Sequence, residues 1–253
     1  MKNIILSLII LSLTACAGVE PTREPDNTIG WSVDNIYKEG HLNLKNREYD
    51  KAIGYFSRLE AKYPNGQYAA HAQLEKAYAY YKQQNTAMCK ETLDNYIEKR
   101  PNSENLDYAF YLKGLAVFND NSFIDKLTKQ EVSERDPRPL RESFDSFKEL
   151  ANRFPNSKYT KDATQRMIYL ANTLAEHELH VAKYYAKLNA HVATVNRCKY
   201  VIEMYPQSTG VESALVLMTN SYGELGLEDL KADTLEVIKL NFPSNPLVAA
   251  LAS

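Results

Sequence analysis

Glycine is scarce in this chain, with nine residues among 253. None of them builds a phosphate-cradling loop or the Gly-x-Ser-x-Gly turn that exposes a nucleophilic serine. Nucleotide binding and serine hydrolysis therefore lack a sequence basis, and no cofactor is expected. Histidine is rarer still, at five. His177 and His180 stand one turn apart, but His177-Glu178-Leu179-His180 is not the two-histidine, four-apart zinc motif, and no third ligand completes it. A solvated helix face is the expected reading, with no metal site. Carboxylate pairs such as Glu131 and Glu134, or Asp229 and Asp233, fall at helical spacing and read as exposed charge. An excess of either charge is missing too: 30 Lys and Arg oppose 32 Asp and Glu. Without a strong basic patch, nucleic acid and anionic membrane surfaces are not expected partners. The chain reads as a binder without catalytic residues.

Long apolar runs are confined to the start. Ile4 to Leu13 follows Lys2 and is too short to span a bilayer as a stable helix, so residues 1–15 read as a signal peptide. Leu13-Thr14-Ala15-Cys16 resembles a bacterial lipobox, which implies lipidation, including palmitate, on Cys16. Ala17 stands where aspartate would resemble an inner-membrane retention signal. The resemblance implies the outer membrane of a Gram-negative cell, with the protein anchored by lipid and facing the periplasm. Residues 16–31 are polar, carry Pro21 and Pro25, and read as a flexible tether. Only Cys89 and Cys198 then remain. They fall in B helices of different units and read as buried small hydrophobes, not as a disulfide.

What the chain does have is a recurrence. Tyr63-Pro64, Arg100-Pro101, Phe154-Pro155, Tyr205-Pro206 and Phe242-Pro243 each close an amphipathic stretch. Between Ile36 and Pro64, Gly40, Tyr49, Ala52, Phe56 and Leu59 match the spacing of the tetratricopeptide helix pair. Gly40 and Ala52 are small where two helices approach, and Phe56 and Leu59 fill the seam. Proline ends each B helix because it lacks an amide proton and disfavours helical geometry in the residue before it. The polar segments after the prolines, among them Asn102-Ser103 and Asn156-Ser157, are expected to cap the next helix.

The fold expected is an all-α tetratricopeptide-repeat solenoid of five helix pairs. Residues 32–101 hold repeats 1 and 2, residues 102–155 hold repeat 3, and residues 156–253 hold repeats 4 and 5. The prolines are spaced 37, 54, 51 and 37 residues apart, so repeats 3 and 4 carry extra chain. In repeat 4 the excess is about four helical turns, predicting one long helix from about Tyr159 to Lys187. In repeat 3 the turn residues Asn119 to Ser122 and the pair Pro137 and Pro139 predict an inserted surface loop over 119–139, with room for one short helix.

Tyrosine is abundant, eighteen against eight phenylalanines. An apolar ring with a polar tip suits a groove that takes extended peptides, and Tyr63, Tyr68, Tyr184 and Tyr185 are the first candidates. Several runs then point further: Tyr63-Pro-Asn-Gly-Gln-Tyr68, Tyr108-Ala-Phe-Tyr-Leu-Lys-Gly114, Arg135-Asp-Pro137, Phe154-Pro-Asn-Ser-Lys-Tyr159, Ala182-Lys-Tyr-Tyr185 and Val195-Asn-Arg197. Together they resemble the BamD (ComL) family, the lipoprotein subunit of the outer-membrane β-barrel assembly machinery. The resemblance implies that N-terminal repeats receive unfolded outer-membrane proteins and that C-terminal repeats dock on the BamA barrel subunit, alongside the machinery's other subunits. It implies that Arg197 pairs with an acidic residue of BamA, while an arginine that caps or pairs within its own helix stays open. It also implies a substrate pocket at Tyr63, Gly66 and Tyr68. The segment Ile124 to Glu134 and the tail Leu247 to Ser253 depart from the family pattern. The alternative from the residues alone is another periplasmic tetratricopeptide lipoprotein adaptor, for example for peptidoglycan enzymes.

Overall fold

A computed structural model of the chain describes residues 27–66, 68–128 and 136–251, leaving aside the side chains at 119–128 and 249–251. The signal peptide, Cys16, most of the tether and Gln67 lie outside the described residues, as do residues 129–135 of the insertion and the last two of the tail. The chain divides into residues 1–32 and 33–253. In the first unit, residues 27–30 form a turn, and the Trp31 N–H donates to the Thr28 carbonyl at 3.1 Å.

The second unit is a succession of antiparallel helix pairs. The pairs are α1 (Val33–Lys45) with α2 (Tyr49–Lys62), α3 (Ala69–Lys82) with α4 (Thr86–Lys99), and α5 (Leu106–Thr128) with α6 (Arg138–Arg153). Then come α7 (Thr160–Lys187) with α8 (His191–Met204), α9 (Val211–Glu224) with α10 (Glu228–Asn241), and a short α11 (Pro246–Leu251). No strand occurs among the described residues, and the architecture is the tetratricopeptide solenoid that the proline recurrence predicts.

Each proline junction repeats one geometry. Tyr63, Arg100, Phe154, Tyr205 and Phe242 all sit at φ between −134° and −130° with ψ between 53° and 61°. That lies outside the helical region, which a following proline disfavours. Each of these residues still donates its N–H to the carbonyl four residues back, so the last turn closes before the chain leaves. The carbonyl of the same residue then accepts the N–H three residues on, at Gly66, Ser103, Ser157, Ser208 and Asn245. The polar residues before α3, α7 and α9 do not cap the next helix as expected: these helices have no side-chain cap. Asn245, just before α11, accepts the Leu247 N–H at 3.0 Å as an N-cap does, but Ser103 and Ser157 accept the backbone N–H two residues ahead within the turn, at 3.3 and 3.2 Å. The two serine side chains thus stabilise the turn rather than the helix end.

The turns inside the pairs are equally uniform. Arg47, Gln84, Asn189 and Gly226 lie in the left-handed region, with φ from 56° to 69°. The residue after each donates its N–H to a carbonyl five residues back, as from Asn85 to Tyr80 at 2.9 Å, which is the Schellman closure. Unit five already uses glycine there, while Gln84 bears the steric cost of a Cβ in left-handed geometry. Gln84→Gly is expected to raise the unfolding free energy by up to about 1 kcal/mol, read as an upward shift of the thermal midpoint.

The third pair differs. α5 runs on as helix to Thr128, straight through the turn-type residues Asn119 to Ser122 that predicted a loop. Asn, Asp and Ser each weaken a helix by only fractions of a kcal/mol, unlike proline, and the apolar residues before and after them continue the helix. The lengthened helix of unit four is present as expected: α7 spans Thr160–Lys187 without interruption.

The seam is built from small residues facing large ones. A Cβ on Gly40 would stand 2.7 Å from the Phe56 ring, and one on Gly114 would stand 2.5 Å from the Phe147 ring. Phe56, Phe147, Leu59, Leu93 and Leu150 are fully buried along the B helices. One continuous core runs from Leu74 to Tyr222 and includes Cys89 and Cys198. Both cysteines are buried free thiols, and burial pushes each up to about 12, so neither is a ready nucleophile.

Candidate binding surfaces

Arg197 lies on α8, and its guanidinium does not stand alone. Its Nη1 donates to Oε2 of Glu178 on α7 at 3.0 Å, while Arg141 on α6 donates through Nη2 to Oε1 of the same carboxylate at 3.2 Å. The Glu178 side chain is 4% exposed, whereas that of Arg197 is 45% exposed. One buried carboxylate therefore ties three helices from two repeats, and two guanidiniums around it leave one net positive charge. Arg141 also stacks over the Tyr200 ring at 5.6 Å. The Tyr205 hydroxyl lies beside Arg141 without hydrogen-bond geometry, and burial pushes that phenol up to about 12. Pairing within its own helix, the alternative for Arg197, is not what the structure shows: its partner is on the preceding helix.

The residues of the expected substrate pocket are only partly brought together. Tyr63 is 37% exposed at the end of α2. Gly66 curls back on it, so that a Cβ there would stand 3.1 Å from the Tyr63 carbonyl oxygen and 3.2 Å from its Cβ. Beside them opens a cleft of about 590 Å³ lined by Glu60, Asn65, Gly66, Gln73, Lys99 and Arg100. Gln73 is buried and fixed from three sides. It accepts from Arg100 Nη1 at 2.6 Å and donates to the Thr92 carbonyl and to Asn95.

Tyr68 points elsewhere. Its ring lies 4.8 Å from that of Tyr37 on α1, and its hydroxyl donates to Asp34 at 3.1 Å. The bond to the Lys38 ammonium, seconded by Tyr68, holds the Asp34 carboxyl below the usual range, and the bond to Asp34 raises the Tyr68 phenol. Tyr37 in turn donates to Glu75 at 2.8 Å, and His41 Nδ1 meets the same carboxylate at 2.9 Å.

The arrangement recurs two repeats along. Tyr159 stacks on Tyr111 at 4.7 Å, and Tyr111 donates to Asp162 at 2.8 Å. Burial, and after it this bond, pushes the Tyr111 phenol up to about 12. Arg166 closes the group, donating to Asp162 at 2.7 Å and lying over the Phe118 ring. Tyr68 and Tyr159 thus each lay a ring on a tyrosine of the preceding A helix, and in each group a tyrosine hydroxyl ties that helix to an acid of the next, Tyr37 to Glu75 and Tyr111 to Asp162. Tyr184 is exposed on α7 and Tyr185 is half-buried beside it, their rings 6.1 Å apart.

A protein-family model described as an outer membrane lipoprotein, YfiO, matches residues 31–237. The outer membrane protein assembly factor BamD of Neisseria meningitidis serogroup A is 39% identical over 252 residues, covering 98% of this chain and 94% of that protein. The chain belongs to the BamD family. The BamD of Pasteurella multocida is 34% identical over 238 residues, covering 93% of this chain and 89% of its own length. That of Vibrio cholerae is 32% identical over 235 residues, covering 92% and 96%. BamD proteins are assembly factors, so this family member is not an enzyme. No group of three or more His, Cys, Asp or Glu among the described residues could hold a metal ion. No helix among them is long and apolar enough to cross a membrane.

Sequence reasoning missed Glu178 and Arg141 in this BamD-family chain, although a signal for Glu178 was present. Leu170, Leu174, Glu178 and Ala182 recur every fourth residue on α7 and are all buried, so the acid interrupts an apolar stripe. A carboxylate in that phase requires cationic partners.

Proposed function

We propose that the chain is a non-catalytic, lipid-anchored scaffold of the outer-membrane β-barrel assembly machinery. Cys16 carries the lipid, and the repeats face the periplasm. Unfolded barrel proteins are received at the N-terminal repeats, around Tyr63, Gly66 and Tyr68, and the C-terminal repeats dock on BamA through Arg197. The observation that carries this reading is the half-exposed guanidinium of Arg197 on a buried carboxylate, in a chain that matches BamD proteins over nearly its whole length. Arginine suits such a dock because its planar fork offers a carboxylate two parallel hydrogen bonds. The open turn at Gly66 and the exposed ring of Tyr63 support the substrate end, since an aromatic residue of an extended peptide can stack there. Tyr68 contributes there by fixing α3 against α1 more than by offering a free face.

The test is depletion of the chain in its native bacterium, with quantitation of outer-membrane barrel proteins. Their levels are expected to fall together across several barrels. Unchanged levels would overturn the proposal, and co-isolation of cell-wall enzymes in place of BamA would redirect it.

A further inference from the structure

We infer that Glu178 is a positioning residue for partner docking, holding the Arg197 guanidinium in the orientation that receives an incoming carboxylate. This deepens the reading of Arg197 given above and rests on it. Three observations carry the inference. Glu178 is fixed, since its side chain is 4% exposed and lies in the buried stripe of α7 between Leu174 and Ala182. It engages Arg197 through Nη1 alone, so the edge formed by Nε and Nη2 is not used by Glu178. Its other oxygen is taken by Arg141, which is itself placed over the Tyr200 ring, so the carboxylate cannot rotate to cover that edge.

The sign of the effect follows from two opposed terms. Neutralising Glu178 makes its surroundings more positive, which by itself would draw an acidic partner closer. That attraction acts across a half-exposed surface and is weakened by solvent and salt. Loss of the anchor, by contrast, frees a long side chain that must be ordered again when two parallel hydrogen bonds form. Orientation wins, and docking weakens. Arg141 belongs to the same arrangement, since it holds the second oxygen and thereby sets the plane of the carboxylate that Arg197 meets. The partner chemistry implied is a single carboxylate presented edge-on, which on the reading above belongs to the periplasmic domains of BamA.

The test measures binding of those purified domains to the full lipidated chain in detergent, for wild type, Glu178→Gln, Arg197→Ala and the double variant. Glu178→Gln is expected to weaken binding about five- to tenfold in the wild-type background and not at all in the Arg197→Ala background. Glu178→Asp keeps the charge but shortens the reach. It is expected to weaken binding as well, and it serves where the amide variant melts at the assay temperature. Unchanged or tighter binding in Glu178→Gln overturns the inference. So does an equal loss in both backgrounds, which would mark a purely structural residue. If Arg197→Ala alone leaves affinity unaltered, the docking role of Arg197 falls, and the inference with it.

Discussion

Gly114→Val is expected to destabilise the chain by about 3 kcal/mol, lowering the thermal midpoint by roughly 6–12 °C for a domain of this size. The first added carbon would stand 2.5 Å from Cε1 of Phe147 and 2.8 Å from Cδ1 and Cζ. That ring is fully buried in the seam between α5 and α6 and cannot swing away. Valine then adds two methyl groups and a stiff χ1 to a gap that already excludes one carbon. Replacing glycine by valine recovers some helical propensity, less than the gain of about 1 kcal/mol that alanine would bring, and that is smaller than the overpacking cost. Gly54 supplies the control, since a Cβ there would meet only the tip of Arg58 at 3.8 Å. Gly54→Ala is therefore expected to gain about 1 kcal/mol from the same helical term. Calorimetry on both variants checks the pair. A loss at Gly54, or no loss at Gly114, would refute the packing argument.

The second large effect is expected at Arg197. Arg197→Ala should weaken binding of BamA periplasmic domains by roughly thirtyfold, corresponding to about 2 kcal/mol, the lower end of the range for truncating one member of a hydrogen-bonded charge pair. The lower end applies because the side chain is half-exposed, so the partner acid left behind regains water. Alanine is cleaner here than a charge reversal. Arg197→Glu would place a second carboxylate against Glu178, which is buried, and the loss of binding would be mixed with a loss of stability. With alanine, Glu178 keeps Arg141 as its partner. Titration calorimetry, with circular dichroism to confirm the helical fold, reads both quantities. Affinity equal to that of wild type would remove Arg197 from the interface.

Much of the architecture was legible in the residues because the determinants are local. A proline fixes its own φ and constrains the residue before it, so five such pairs mark five helix ends without any knowledge of tertiary contacts. The length of α7 was legible for a similar reason, since no Pro or Gly falls between Thr160 and Lys187. The insertion was harder. Asn119 to Ser122 favour turns only weakly, and α5 continues through them to Thr128. At the candidate surfaces, Arg197 was named by resemblance alone, while Glu178 and Arg141, which the fold brings to it, were not named as partners. Their meeting depends on how α6, α7 and α8 pack, across sequence separations that no local pattern encodes. Tyr68 shows the converse. The resemblance implied a pocket shared with Tyr63, but Tyr68 stands immediately before α3, and its ring packs on Tyr37.

The gap between α5 and α6 also bears on the order in which the repeats assemble. Residues 129–137 separate these helices, against 46–48, 83–85, 188–190 and 225–227 in the other pairs. Contacts between α5 and α6 therefore span more of the chain than those inside the other pairs, and more distant contacts form more slowly. The four three-residue turns keep contacts local, so the two ends of the array are expected to nucleate independently. The middle pair, whose buried seam is set by Gly114 and Phe147, is then expected to join them last, which pulse-labelled hydrogen exchange during refolding would read as late protection of α5 and α6.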